Sequence, residues 1–177
     1  MQVANNYLTS VKWICSYYKS LGDKTLEQVH DQHIHVQYNQ SSNSIAIIVE
    51  HMAGNMISRW TDFLTTDGEK EWRNRDNEFE VHSINKSALL IEWEKGWNCL
   101  FSSIDALTEE DLIKTVTIRK EPHTVIEAVN RQVGHLAYHI GQIVLIAKML
   151  LDNKWGTLSI PKGQSKEFNT GNFLRKK

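Results

Sequence analysis

Large apolar residues recur every three or four positions from residue 124 to residue 151, which is the spacing of one face of an α-helix. The members of this stripe are Val125, Val129, Val133, Leu136, Ile140, Val144, Ala147 and Leu151. Thr124 and Glu127 stand at the two positions of a capping box, the side-chain pair that satisfies free amide groups at a helix start. The sequence therefore predicts a long amphipathic helix whose apolar face must be covered by other elements.

Three earlier segments show the same periodicity, and only two prolines interrupt the chain. Helices are predicted over residues 7–21, over residues 45–64 and over a segment that begins at Ser83 or Asn85 and extends to about Ile104. Gly22 is expected to end the first of these helices, and Ser44 is expected to cap the second. Residues 116–120 alternate weakly, but the strand signals are too weak for a sheet. Four amphipathic helices predict an all-α fold, a four-helix bundle.

Length and charge narrow the classes of protein to which the chain can belong. Its 177 residues predict one domain over 1–177, with a tail from about residue 153 that packs over the bundle or frays. A formal net charge of −1 gives no general attraction to nucleic acid or to anionic membranes. No signal peptide and no run of about 18 apolar residues is visible. Cys15 and Cys99 are isolated thiols, expected to be packed and inert. We expect a cytoplasmic protein without nucleic-acid or membrane partners.

Two histidines in the last helix have the spacing of a metal-binding pair. His135 and His139 are four residues apart, so their imidazoles lie one turn apart on the same side of the helix. In a bundle, His51 of the second predicted helix can face them, and three imidazoles with one free position form the open site that catalytic zinc uses. The same spacing also fits two hydrogen-bonded, partly buried histidines. The metal interpretation is not favoured over this one, because no acidic residue stands between the two histidines as in the zinc-protease motif. Spacing alone leaves both interpretations open.

Two other groups of polar residues are alternative candidate sites. His30, His33 and His35 lie in a polar segment without periodicity, and solvent-exposed histidines are the favoured interpretation there. Three arginines could face an anionic ligand, since guanidinium binds carboxylates in a bidentate manner. These are Arg59, Arg73 and Arg75, and the favoured alternative is that they pair with the nearby Asp62, Glu69, Asp76 or Glu78. His82 and His123 receive no role.

The chain resembles the DinB/YfiT-like superfamily of metal-binding bundles. The resemblance is carried by His51 within residues 50–56 and by His135, His139 and Gln142 far downstream. Residues 54–80 are more narrowly similar to an uncharacterised Bacillus-type branch. The resemblance implies an up-down-down-up four-helix bundle, a divalent metal (zinc or nickel) on the three histidines, and often a homodimer.

The resemblance also implies an activity. Characterised relatives include thiol S-transferases, in which the metal would lower the pKa of a low-molecular-weight thiol such as bacillithiol, mycothiol or glutathione. The first hypothesis is therefore a metal-dependent thiol transferase acting on a small-molecule substrate. A metal-dependent hydrolase that uses metal-bound water is the second, and a non-catalytic, stress-associated metal-binding protein is the third. Beyond the three histidines, no residue here matches a thiol-binding motif, and the catalytic residues stay unknown.

Overall fold

The computed structural model describes residues 2–80 and 85–168, and its architecture is a bundle of four long helices. The helices are α1 (Gln2–Gln28), α2 (Asp31–Ile34), α3 (Ile45–Trp60), α4 (Lys86–Ala106), α5 (Val125–Leu151) and α6 (Ser165–Phe168), of which α2 and α6 are single turns. Short 3-10 turns cover Asp76–Phe79, Glu110–Ile113 and Asp152–Lys154. Two strands, β1 (Thr115–Ile118) and β2 (Glu121–Thr124), form a hairpin directly before α5. The predicted four-helix bundle is confirmed.

The second and third long helices run in the same direction. The backbone of Ala53 in α3 passes beside Gly96 in α4, where an added Cβ would lie only 2.8 Å from the Ala53 Cα atom. Further along both helices, the Ser103 hydroxyl donates to the carbonyl oxygen of Trp60 at 2.5 Å. Contacts that advance together along two helices require parallel axes. The chain that leaves α3 must therefore return along the length of the bundle before α4 begins.

Helix α1 sets the direction of the remaining helices. Near its start Tyr7 donates to Asn130 of α5, and near its end Gly22 lies beside Ile140, so α1 and α5 are parallel. An ion pair joins Lys12 to Asp105 of α4, and a second joins the later Lys19 to the earlier Glu94, so α1 and α4 are antiparallel. The order of directions is therefore up-down-down-up.

Three of the four predicted helix starts agree with the structure, whereas α1 begins at Gln2 and not at residue 7. The Ser44 hydroxyl accepts from the amide of Ile47, and the Asn85 side chain accepts from the amide of Ala88. Both hydrogen bonds of the predicted capping box at Thr124 are present. The end of α3 differs from the prediction, because the helix stops at Trp60 and Asp62 follows with a positive φ of 50°.

The prediction that Gly22 ends the first helix is wrong. Helix α1 continues to Gln28, and Gly22 is buried inside it. A Cβ atom at this position would lie 2.5 Å from the Trp93 side chain, so glycine allows α1 and α4 to approach closely around that ring. The absence of a side chain is needed for packing here and not for a left-handed turn.

The prediction that no sheet would form is also wrong, because β1 and β2 pair. Pro122 lies within β2, opposite Thr117. Arg119 and Lys120 form the two-residue turn, both with positive φ (56° and 64°). Turns of this kind favour Asn-Gly, so the sequence carries no recognisable hairpin signal. Contacts of this turn with Asp67, described below, explain why it forms.

The core contains three fully buried tryptophans, Trp60, Trp93 and Trp97. Cys15 is also buried, which raises the pKa of its thiol to about 12 and agrees with an inert cysteine. Length and composition alone would allow Val125–Lys154 to cross a membrane, although a core helix of a bundle meets the same criteria. In the tail, Trp155 packs against the core and Ile160 is 39% exposed. The predicted fraying beyond residue 168 and the possible helix start at Ser83 lie outside the described residues.

Candidate metal centre

The structure brings the three predicted histidines together. His51 lies on α3, whereas His135 and His139 lie on α5, and one ring nitrogen from each falls within 4.8 Å of the other two. The Nε2 atoms of His51 and His135 are 3.2 Å apart. Within residues 2–80 and 85–168, this is the group of His, Cys, Asp and Glu side chains whose atoms are close enough to share one ion. That these side chains bind a metal stays a prediction.

The separation of the histidine nitrogens suits a small divalent cation. Zinc–nitrogen bonds of about 2.0–2.1 Å at tetrahedral angles place two ligand atoms about 3.3 Å apart. The 3.2 Å between His51 and His135 is close to this value. All three nitrogens lie within 4.8 Å of one another, so a small movement of the rings is enough to place them around one ion. The residues present therefore fit a metal.

Two of the imidazoles are oriented from behind by oxygen acceptors. Nδ1 of His51 lies 3.0 Å from Oε2 of Glu78, and Nδ1 of His139 lies 2.8 Å from Oε1 of Gln142. Because these oxygens accept hydrogen bonds, both Nδ1 atoms carry the proton and both Nε2 atoms keep a free lone pair. Such outer partners fix the tautomer and the ring orientation of metal-binding histidines.

Glu78 is itself held by Arg73. Nε of Arg73 donates to Oε1 of Glu78 at 2.6 Å, and Nη2 donates to Oε2 at 2.8 Å. Burial raises the pKa of Glu78, but hydrogen bonds from His51 and Arg73 outweigh this effect and hold the pKa below its usual value. The carboxylate therefore stays ionised, and it can only accept a hydrogen bond from Nδ1–H of His51.

Burial keeps the α5 histidines neutral. It lowers the pKa of His135 to about 3, with smaller contributions from the nearby His139, His51, Arg59 and Arg73. The pKa of His139 is also lowered, mainly by burial, although its hydrogen bond with Gln142 acts in the opposite direction. Neutral imidazole is the form that binds metals, so this pair is ready for a cation at neutral pH.

The other candidate group, His30, His33 and His35, does not form a comparable cluster. His30 is exposed, as predicted, whereas His33 and His35 are half-buried. The His30 and His33 rings are 5.9 Å apart, and the three residues do not bring three nitrogens together within metal-binding reach.

The three arginines behave differently from one another. Arg73 forms the predicted ion pairs, with Glu78 and with Glu69, whose oxygen lies 3.5 Å from Nη1. Arg59 does not, since no described carboxylate pairs with its buried guanidinium. Arg75 also has no carboxylate partner within the described ranges. The preference for simple ion pairing was therefore correct for one arginine of the three.

Sequence reasoning missed the roles of Glu78 and Gln142. Gln142 follows His139 by three residues, and this helical spacing places the two side chains side by side, so a signal was available. Glu78 lies 27 residues from His51 in an irregular connection, and no periodicity links the two positions.

A family model described as "Protein of unknown function (DUF1572)" matches residues 2–164, nearly the whole chain. No curated protein matches the chain.

Proposed function

The chain belongs to the DUF1572 family of proteins of unknown function, and we propose that it is a metal-dependent enzyme whose cation is held by His51, His135 and His139. We further propose that the family is a branch of the DinB/YfiT-like bundles. The up-down-down-up order of helices and the placement of the three histidines support this relationship. Zinc and nickel both suit an all-imidazole ligand set.

The number of ligands is the observation that carries the proposal. The cluster contains three imidazoles and no fourth His, Cys, Asp or Glu among the described residues. Structural zinc sites are normally closed by four protein ligands, whereas catalytic sites keep one position for water or substrate. An incomplete protein ligand set therefore supports an enzyme over a purely structural metal site, the third hypothesis.

The bound metal would act as a Lewis acid that lowers the pKa of a thiol or a water at the open position. The chain's own residues prepare that position. Glu78 and Gln142 hold the rings of His51 and His139 in one orientation. Burial keeps His135 unprotonated, as its lowered pKa indicates.

We propose thiol transfer rather than hydrolysis as the reaction, because the characterised DinB/YfiT-like bundles that the chain resembles include thiol S-transferases. A cavity of about 430 Å³ lies against α3 and is lined by Gly54, Ile57, Asn74 and Glu78, among others. Its volume is that of a small-molecule site. Glu78 contacts Nδ1 of His51, the nitrogen that faces away from His135, and none of the three histidines lines this cavity. The connection between α3 and α4 supplies part of its wall.

The first test is metal analysis of protein purified without an affinity tag. We expect close to one zinc or nickel per chain in the wild type and a large loss in His51→Ala. His30→Ala is the matched control, because that histidine is exposed and lies outside the cluster. Unchanged metal content in His51→Ala would refute the three-ligand site.

The second test separates the reactions. Metal-loaded protein is incubated with 1-chloro-2,4-dinitrobenzene, with and without bacillithiol or glutathione, and separately with 4-nitrophenyl acetate. Conjugation that requires both thiol and metal supports a transferase, whereas metal-dependent ester cleavage without thiol supports a hydrolase. A metal-loaded protein inactive in both assays would favour the non-catalytic alternative. The homodimer and the cytoplasmic location stay predictions.

A further inference from the structure

A second feature of the site is a small cavity surrounded by positive charge. The cavity, about 100 Å³ in volume, shares His51 and His135 with the candidate metal centre. Five arginines line it: Arg59, Arg73, Arg75, Arg119 and Arg131. They come from α3, from the connection after it, from the β-hairpin turn and from α5. Arginines that converge from four separate parts of the chain are not the solvated face of a single helix.

Only part of this charge is balanced within the protein. Glu69 and Glu78 pair with Arg73, and Glu69 also lies 3.1 Å from Nε of Arg119. The other three arginines, Arg59, Arg75 and Arg131, form no ion pair with any described carboxylate. The cavity therefore carries an excess of positive charge although the whole chain has a formal charge of −1.

Arg59 is the most unusual of these residues. It is only 5% exposed, and its Nε atom is buried without a hydrogen-bond partner among the described residues. Its side chain crosses Gly68, where a Cβ atom would lie 2.8 Å from Cδ of Arg59. Burial, together with the charges of Arg131 and Arg73, lowers the pKa of Arg59 to about 10, although the charge of Glu69 acts in the opposite direction. Glu69 forms no direct ion pair with Arg59, and a buried cation without a direct counter-ion is unfavourable unless a ligand supplies the missing charge.

Gln132 supplies a second buried donor at the same place. It is 4% exposed, and its Oε1 atom accepts from the indole Nε1 of Trp60 at 3.1 Å. An indole nitrogen can only donate, so this bond fixes which end of the amide faces Trp60. Nε2 of Gln132 is therefore a donor, and it has no acceptor within the described part of the chain. Nη1 of Arg73 and Nδ1 of His135, two other residues of this cavity, also lack a hydrogen-bond partner among the described residues. Buried polar groups normally have partners, so these unpartnered nitrogens indicate a missing ligand.

The wall that carries Arg119 is held in an unfavourable backbone conformation. Arg119 and Lys120 both have positive φ, which costs energy for residues other than glycine. The Asp67 carboxylate accepts from both of their amide groups, at 2.9 and 2.7 Å, and also from the amide of Glu69. Asp67 thereby attaches the hairpin turn to the connection after α3 and positions Arg119 beside the cavity.

We propose that this cavity binds an oxyanion of the substrate, a carboxylate or a phosphate, with Arg59 and Gln132 as its buried donors. Arg75 and Arg131 would add charge at the rim, and guanidinium groups suit either anion. The cavity is smaller than the 300–1,000 Å³ typical of sites for whole drug-sized ligands, so it fits one charged group. The statement that this group lies beside a metal rests on the proposed function, whereas the anion site itself does not.

The test uses metal-free wild-type protein at constant ionic strength. Binding of inorganic phosphate, malonate and the neutral malonamide is measured by calorimetry and by the shift in melting temperature. We expect one of the two anions to bind with a stoichiometry near one, and malonamide not to bind. Tighter binding of phosphate identifies a phosphorylated substrate class, and tighter binding of malonate identifies a carboxylate.

Two variants test the assigned donors. Arg59→Met keeps the apolar part of the side chain but removes the charge, and Gln132→Glu keeps the acceptor for Trp60 but replaces the donor with a negative oxygen. Each is expected to weaken anion binding by roughly tenfold or more. Lys148→Gln is the control, because Lys148 is an exposed cation in the last turn of α5, about 20 Å along the helix from His135. It should bind as the wild type does.

The result that overturns the inference is a wild-type protein that binds both anions no better than malonamide, or variants that bind like Lys148→Gln. Metal content measured on the same preparations separates the two proposals. Anion binding without a metal site would retain this inference and remove the proposed function. A metal site without anion binding would retain the proposed function and remove this inference.

Discussion

Nδ1 of His51 donates a hydrogen bond to Oε2 of Glu78 over 3.0 Å, although Glu78 belongs to the irregular connection that follows α3. Arg73 holds the same carboxylate with two hydrogen bonds, so the chain Arg73–Glu78–His51 determines the direction of the His51 lone pair. The connection between α3 and α4 therefore does more than link two helices. It orients one ligand of the candidate metal centre and supplies arginines to the adjacent cavity.

Glu78→Gln is expected to weaken metal binding by about tenfold or more, the range found when outer partners of histidine ligands are changed. The substitution replaces the carboxylate with a neutral amide, so the negative charge that holds Arg73 and polarises His51 is lost. The measurement is zinc affinity by competition with a chelator. Glu71→Gln, an exposed glutamate in the same connection, is the control. Equal affinities for the two variants would show that Glu78 does not support the ligand.

Metal-free protein should lose stability as the pH falls from 7 to 5. The pKa of His135 is about 3 in the folded protein and about 6.5 in an unfolded chain, so over this range only the unfolded chain binds the proton. Stability is therefore highest above about pH 6.5 and decreases below it. Urea denaturation at several pH values measures this slope.

His135→Leu should reduce this slope, with a smaller contribution left from His139, whose pKa is also lowered. His30→Gln, at an exposed position, is the control and should leave the slope unchanged. Bound metal adds a second acid-sensitive contribution, because protons compete for the same nitrogens. A slope of the same steepness in His135→Leu would contradict the assignment to His135.

Arg59→Met is expected to raise the free energy of unfolding in anion-free buffer by about 1–2 kcal/mol. The variant removes a buried guanidinium that lacks a counter-ion, and replacement of buried charges by apolar groups is often stabilising. Phosphate or malonate should reduce the difference from the wild type if it binds Arg59. A clear loss of stability in Arg59→Met would instead indicate a structural role for this side chain. Denaturant titration with and without anion decides between the two.

Gly22→Ala and Gly141→Ala are expected to have opposite effects. A methyl group at Gly22 would meet the Trp93 ring, so we expect a loss of about 1–3 kcal/mol from overpacking. Gly141 lies on the exposed side of α5 with nothing within 4 Å, and alanine there should add about 0.5–1 kcal/mol through helix propensity. Thermal or urea unfolding compares the two variants directly. Similar effects at both positions would show that the contact with Trp93 is not limiting.

The helices and their starts were predictable because they depend on local interactions. The apolar periodicity of α5 and the caps at Ser44 and Thr124 each involve residues within a few positions of one another. The hairpin was not predictable in this way. Its turn residues disfavour the conformation that they adopt, and its formation depends on Asp67, about fifty residues earlier in the chain.

The three histidines were identified from helical spacing and family resemblance, but their surroundings were not. The contact of Glu78 with His51 and the unpaired state of Arg59 both depend on how the connection after α3 folds back onto the bundle. An ion pair between near neighbours was the reasonable expectation for Arg59. The fold instead directs two of the four candidate carboxylates, Glu69 and Glu78, to Arg73.

The amino-acid sequence by itself determined that the chain is helical, where most long helices begin and which face of each is buried. These properties follow from periodicity and from capping bonds between neighbouring residues. Only the tertiary structure decided which side chains share the site, because burial, charge compensation and the meeting of distant segments are properties of the packed bundle. The convergence of His51 with His135 and His139, and the unbalanced arginines beside them, belong to this second group.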